Sequence, residues 1–458
     1  MGATRTTGRL KGQTPTPFSC RLYKHESVEP LQDRKEFNMA QTLAQKILQA
    51  HTDEAVEQDG QIVQCRVSMV LANDITGPLA IESFRGMGAK KVFDRNKIAL
   101  VMDHFTPQKD IDSANQVLIS RKFAEEQGIV HYYEGGDCGV EHTLLPEQGL
   151  VGPGDLVIGA DSHTCTYGGI GAFATGMGST DIAAAMALGE TWLKVPPTIR
   201  VNIRGHMPKW LRGKDLMLML IGVIGVDGAL YKALEFGGSV VDDLSVEGRL
   251  SMANMAIEAG GKVGLFAVDA KTRAYCAEHK RPGVMDNMAA DHGAHYDRVV
   301  ELDVTGKEPV VACPHLPSNV KPVSEVRNTA VQQVVIGSCT NGRISDMRDV
   351  AEILRGRKVD KNVRCIVLPS TPTVWKQCLK EGLIETFMDA GCIVGPCTCG
   401  PCLGGHMGIL GDGERAVATT NRNFKGRMGS LKSEVYLASP LVAAATAVTG
   451  FVAGPDQL

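Results

Sequence analysis

The stretch "GPCTCGPCLGGHMG" (395–408) holds three cysteines within six residues, Cys397, Cys399 and Cys402, and Cys392 lies five residues before the first of them. Thiols this dense point to four kinds of chemistry. Cys399-x-x-Cys402 supplies two zinc ligands, which Cys339 and either Cys397 or His406 complete to a tetrahedron. The same pair reads as a redox CxxC. Isolated buried cysteines are usually inert packing. An iron–sulfur cluster takes thiolates from distant segments. The segment "IGSCTNGR" (336–343) offers one such thiolate, Cys339, where an apolar run turns into small polar residues whose backbone N–H groups face an anionic centre. Three thiolates leave one metal position open, which is the mark of catalytic use. Spacing alone leaves zinc and a cluster both open.

These residues need elements to hold them, and one plan recurs. A short apolar strand ends in small polar or reactive residues, and a helix follows. "KIALVMDHF" (97–105) ends in Asp103 and His104. "DLVIGADSHT" (155–164) ends in Asp161, Ser162 and His163, before a helix over "STDIAAAMALGETWL" capped near Ser179. "VQQVVIGSCTNGR" (331–343) ends in Ser338, Cys339 and Thr340, before the helical "ISDMRDVAEILRG". "NVRCIVLPS" (362–370) precedes "TVWKQCLKEG", and residues 40–51 read as a helix. Alternation of this kind predicts α/β architecture with parallel sheets, in which ligands gather at the carboxyl ends of strands. Ser, Thr, Asp and Asn at those ends also cap helices, but capping does not account for His104, His163 and Cys339. Breaks at "KVPPTIRVNIRGHMP" (194–208) and around 305–325 predict domains over 39–203, 204–322 and 323–458.

Composition narrows the function class. The 458 residues carry a net charge of −3 and are 43% hydrophobic, without the basic stripe of a nucleic-acid binder. No apolar run reaches the ~20 residues of a membrane span, and "LMLMLIGVIGV" (216–226) reads as buried core. Thirteen cysteines scattered through a long chain do not form a disulfide scaffold and fit a reducing cytoplasm. Residues 1–38 differ from the rest. Their first 24 positions hold five Arg or Lys and no acid, the pattern of a targeting peptide or of a disordered or misassigned extension, and we expect the latter.

Eight motifs in order resemble the aconitase superfamily: "ANDITGPLAI" (72–81), "MDHF" (102–105), "DCGVEH" (137–142), "GADSHTCTYGGIGAFATGMGSTD" (159–181), "ANMAIEAG" (253–260), "IGSCTNGR", "CGPCLGGHMG" (399–408) and "TTNRNFKGRMG" (419–429). The resemblance covers essentially all of 39–458. It implies three α/β domains around one [4Fe–4S] cluster on Cys339, Cys399 and Cys402, with one iron free of cysteine, and leaves Cys397 a bystander. It also implies three histidine–carboxylate pairs, Asp103 with His104, His142 with Asp161, and His163 with Glu258. Asn73, Ser162 and Asn254 become polar groups near cluster or substrate, and Arg422 and Arg427 become carboxylate-binding arginines. Each imidazole is oriented by its carboxylate for acid–base work.

The implied activity is that of a hydro-lyase that isomerises a small hydroxy diacid by dehydration and rehydration. Isopropylmalate is the expected substrate; homocitrate, methylmalate and dimethylmalate are its rivals. Single-chain members continue into a swivelling fourth domain that carries a serine base, and nothing like it follows "SPLVAAATAVTGFVAGP". The expectation is therefore a separate small subunit in a heterodimer or heterotetramer, with no nucleic-acid or membrane partner. An RNA-binding regulatory apo-protein is the rival of another class, and the balanced charge opposes it.

Overall fold

The computed structural model describes residues 40–281 and 288–458. The expected N-terminal extension, 1–38, lies outside the described residues. Residues 39–458 form one compact unit built on three parallel-type sheets.

The first sheet has five parallel strands in the order His131–Tyr133, Ile98–Val101, Met69–Asn73, Leu156–Gly159 and Phe173–Gly176. The second has four, in the order Val263–Phe266, Ala233–Gly237, Thr198–Arg204 and Arg298–Asp303, also parallel. The third has seven. Glu434–Ala438, Arg415–Ala418, Gln333–Ile336, Arg364–Val367 and Ile393–Val394 run parallel, while Val310–Ala312 and Val320–Pro322 add an antiparallel edge. Strands such as "IALV", "LVIG" and "QVVI" are buried at every position. Parallel strands covered by helices on both faces require such runs.

Helix boundaries follow local chemistry. The Asp110 side chain accepts from Ser113 N (2.8 Å) and starts the helix Ile111–Gln127. Thr371 caps Pro372–Lys380, and Thr42 with Gln45 forms a capping box for Leu43–Ala50. Of the apolar stretch 216–226, residues 216–224 fall on the helix Gly213–Ile224, where Leu216, Met217, Leu218, Leu220, Ile221 and Ile224 are buried and Val223 is exposed. Among the described residues no helix is long and apolar enough to cross a membrane.

One expected helix is shorter than its sequence suggests. Ser179–Leu188 is helical, with Gly178 at the N-cap position and no side-chain cap. "ETWLK" (190–194) is instead a strand, antiparallel to Ile62–Arg66. Trp192 is half exposed there, and β-branched and aromatic residues favour such a surface ribbon.

On the helix Glu141–Glu147, Glu147 Oε2 accepts from Thr371 Oγ1 at 2.8 Å. Burial pushes its carboxyl from about 4.5 up to about 7. Such a group contributes stability below its ordinary pKa and loses it as pH rises through the folded value. Glu147→Gln is therefore expected to raise Tm relative to the parent at pH 8 and to leave it unchanged near pH 4.5, as read by thermal melts at both values.

Candidate active site

The carboxyl ends of strands from two sheets converge on a cavity of about 460 Å³. Asp103 and His104 follow Ile98–Val101, and Asp161, Ser162 and His163 follow Leu156–Gly159. Cys339 follows Gln333–Ile336, and Asn421 and Arg422 follow Arg415–Ala418. Cys399 and Cys402 arrive on the loop after Ile393–Val394, and all of these residues line the cavity. The backbone bends sharply before Cys339. Gly337 has φ of 146° and Ser338 has φ of 72°. A Cβ on Gly337 would stand 2.7 Å from Leu368 O, so glycine is the residue that allows this turn.

The three thiols are buried and packed with Val140. Cys399 lies against both of the others, and these contacts lower the pKa of Cys339 and of Cys402 and raise that of Cys399. Asn421 Nδ2 also donates to Cys339 Sγ at 3.3 Å. Three converging sulfur donors suit a soft, thiolate-bound metal centre. His104, Cys399 and Cys402 also bring ligand atoms within 4.8 Å of one another, so a single ion is geometrically admissible.

The more local tetrahedron is not formed. Cys397 is half-buried in the wall of a separate cavity with Cys138 and Trp375, and burial pushes its thiol up to about 12. His406 Nε2 faces Pro107 O at 3.1 Å, and Cys392 lies beside Cys365.

The histidine–carboxylate pairs are in contact. His104 Nδ1 donates to Asp103 Oδ1 at 2.8 Å. Burial works against the charged imidazole, but Asp103 and then Asp74 outweigh it and hold His104 well above its ordinary range. His142 Nε2 donates to Asp161 Oδ1 at 2.9 Å, and its Nδ1 lies 3.3 Å from Tyr167 OH. His163 Nε2 donates to Glu258 Oε1 at 3.0 Å, while its Nδ1 lies 3.3 Å from Asp161 Oδ1. Burial lowers His163, yet Cys339, Asp161 and Glu258 together raise it to about 9. Burial favours the protonated Asp161, and the two histidines overcome it, holding the carboxylate well below its usual range.

The three histidines thus differ in what they leave free. His142 has both ring nitrogens in hydrogen bonds, and His163 has Nε2 on Glu258 with Nδ1 facing Asp161. His104 Nε2 has no hydrogen-bond partner among the described residues, and Asp161 Oδ2 is 3.9 Å away.

Arg422 Nε donates to both oxygens of Glu258 (2.9 and 3.1 Å), and its Nη2 donates to Ser162 Oγ at 3.0 Å. Arg427 lines the cavity with its Nε buried and unpartnered among the described residues. Asn73 lines it too, its Nδ2 donating to Glu141 Oε1 at 3.1 Å. Asn254 stands one hydrogen bond behind Cys339, through Asn421. It is fully buried behind the wall, donating to Thr166 and accepting from Thr340 and Asn421. Glu258 also stands behind the lining, reaching the cavity through His163 and Arg422.

Four further groups belong to the site that motif reading passed over. Asp74 accepts from the backbone N of His104 (3.1 Å) and of Phe105 (2.8 Å). Glu141, Tyr167 and Asn421 touch His142 or Cys339. Each sits inside one of the eight motifs, and Asp74, Glu141 and Asn421 adjoin Asn73, His142 and Arg422 there.

The sequence model of the aconitase family (aconitate hydratase) matches residues 45–330 and 318–450. The chain belongs to the aconitase family. As a member of this hydratase family it is a hydro-lyase, and the family implies an iron–sulfur cluster; Cys399 and Cys402, with His104, form a group able to hold a metal. Its relatives include a 3-isopropylmalate dehydratase large subunit of Desulfovibrio desulfuricans, 91% identical over 420 residues, which cover 92% of this chain and 100% of the relative. Large subunits of the same name from Nitratidesulfovibrio vulgaris and Acetivibrio thermocellus are 74% and 57% identical over the same shares. A crystal structure of Thermococcus kodakaraensis aconitase X in its holo form superposes with a TM-score of 0.48 at 14% identity, covering 82% of this chain and 88% of that one.

Proposed function

We propose that this aconitase-family chain is the large subunit of a 3-isopropylmalate dehydratase, which interconverts 2- and 3-isopropylmalate through the unsaturated diacid 2-isopropylmaleate, a step of leucine biosynthesis. The observation that carries this reading is 91% identity along the whole length of a relative of that name. The cavity's chemistry supports it: arginines for carboxylates, a free imidazole nitrogen for a leaving hydroxyl, and a thiolate triad. We assign the triad to one [4Fe–4S] cluster, with one iron free of cysteine. When bound, the cluster supplies Lewis acidity for the substrate's hydroxyl and carboxylate.

The protein's own residues do the rest. Arg422, steadied by Glu258 and Ser162, and Arg427, with its free Nε, bind substrate carboxylates; a planar guanidinium suits that task. His104 holds a proton at Nε2, the nitrogen that Asp103 leaves free, and delivers it to the departing hydroxyl. His142 and His163 fix Asp161 and keep that wall ordered. A small subunit supplies the swivelling domain and its serine, which removes the proton from the carbon that becomes unsaturated. We place the enzyme in the cytoplasm, as a biosynthetic enzyme with bacterial relatives. We also divide residues 39–458 into the three α/β domains 39–203, 204–322 and 323–458, with strand Thr198–Arg204 reaching across the first boundary into the second sheet.

The test is co-expression with the neighbouring small-subunit candidate and assay on a panel of 2-hydroxy diacids. Turnover of isopropylmalate above the others is expected. Turnover of homocitrate, methylmalate or dimethylmalate with none of isopropylmalate overturns the assignment. In the same assay Arg422→Lys is expected to raise KM by about tenfold, the loss of one charge-assisted hydrogen bond of ~1.5 kcal/mol, with a smaller change in kcat.

A further inference from the structure

Glu141 is a carboxyl group for which the mechanism above has no use. It precedes His142 in "DCGVEH" and opens the helix Glu141–Glu147, yet it is only 1% exposed and lines the catalytic cavity. Its backbone N–H donates to Asp103 Oδ2 at 2.7 Å, so it is tied to the His104 pair. Its Oε1 accepts from Asn73 Nδ2 at 3.1 Å and lies 3.4 Å from His142 Nε2. Its Oε2 is buried with no hydrogen-bond partner among the described residues. A buried polar atom without a partner costs stability unless something in the site meets it.

Three carboxyls, Asp103, Glu141 and Asp161, share this wall, and like charges at such separations do not all ionise. Asp103 receives His104 Nδ1 and the Glu141 N–H, and Asp161 receives His142 Nε2 and the His163 backbone N–H (2.7 Å). The two histidines hold Asp161 well below the usual carboxylate range, whereas burial raises Asp103 in spite of His104 and the Glu141 N–H. Among the described residues the Glu141 carboxyl accepts a hydrogen bond from the neutral Asn73 amide, while His142 Nε2, 3.4 Å away, is given to Asp161, and burial, followed by Asp103 and Asp161, raises its pKa well above the ordinary range. The shared wall therefore leaves its proton on Glu141, and Asn73, which occupies Oε1, puts that proton on Oε2.

We propose that Glu141 is a further substrate-binding group, whose Oε2–H donates a hydrogen bond to a carboxylate oxygen of the hydroxy diacid. A protonated carboxyl in a cavity that Arg422 and Arg427 also line is a donor that adds no negative charge to a site for a diacid. The inference rests on the hydroxy-diacid reading above, and it predicts that a carboxamide replaces the acid. In Glu141→Gln the amide oxygen accepts from Asn73 and the amide N–H donates in place of Oε2–H.

The test uses the complex with its small subunit. Glu141→Gln is expected to keep KM within about threefold of the parent, whereas Glu141→Val raises it by about tenfold, the worth of one hydrogen bond to a charged group. Visible absorbance is unchanged in both. Difference infrared spectra of parent against Glu141→Gln are expected to show the C=O stretch of one protonated carboxyl, lost in the variant. Two results overturn the proposal: Glu141→Gln as damaging as Glu141→Val, which marks an ionised acceptor or base, or no protonated-carboxyl band lost. If the parent complex turns over no hydroxy diacid at all, the functional reading falls by itself, and the infrared band still decides where the proton sits.

Discussion

Cys339→Ser in the complex with the small subunit is expected to abolish isomerase activity together with visible absorbance and acid-labile sulfide. Cys339 is the one thiolate of the triad that comes from a different segment, some sixty residues before Cys399 and Cys402. Without it two sulfur donors remain, and a serine oxygen is a harder donor that iron–sulfur centres disfavour. The turn that presents Cys339 is fixed by Gly337 and the left-handed Ser338, and Asn421 donates to its sulfur, so the site is shaped for sulfur at this position. Cys397→Ser is the matched control. That residue faces a separate cavity with Cys138 and Trp375, and its loss is expected to leave iron, sulfide and turnover as in the parent. Iron and sulfide analysis of both variants, next to turnover, checks the pair.

The second large effect belongs to His104. His104→Asn is expected to lower kcat by about 10²–10⁴-fold, the range of a lost general acid, with the cluster retained and KM little changed. Among the described residues its Nε2 meets no partner nearer than Asp161 at 3.9 Å, and Asp103 at 2.8 Å and Asp74 behind it raise the imidazole well above its ordinary range. His142→Asn removes an orienting partner of Asp161, whose loss is worth about 10–100-fold. Steady-state kinetics on the two variants separate the roles: equal losses would contradict the assignment of the proton to His104.

The strand-end residues were legible because parallel sheets confine reactive groups to one edge. A short apolar run followed by "DH", "DSH" or "SC" names Asp103, His104, Asp161, His163 and Cys339 before any fold is known. What stayed hidden depends on pairings between distant segments. Glu141 and Asn421 acquire meaning only when Asn73, His142 and Cys339 come against them, from up to 82 positions away. The motif places Asn254 near the cysteines, but not that its amide would be engaged by Thr166, Thr340 and Asn421. The strand Glu190–Lys194 was read into the preceding helix because its partner, Ile62–Arg66, lies more than a hundred residues upstream.

The central claim is that Cys339, Cys399 and Cys402 hold an iron–sulfur cluster in the catalytic cavity. Its most direct test is iron, zinc and acid-labile sulfide analysis of the protein purified without oxygen. The account expects a brown protein with about four iron and four sulfide per chain, as a [4Fe–4S] centre requires. A colourless protein with one zinc per chain and no labile sulfide would contradict it.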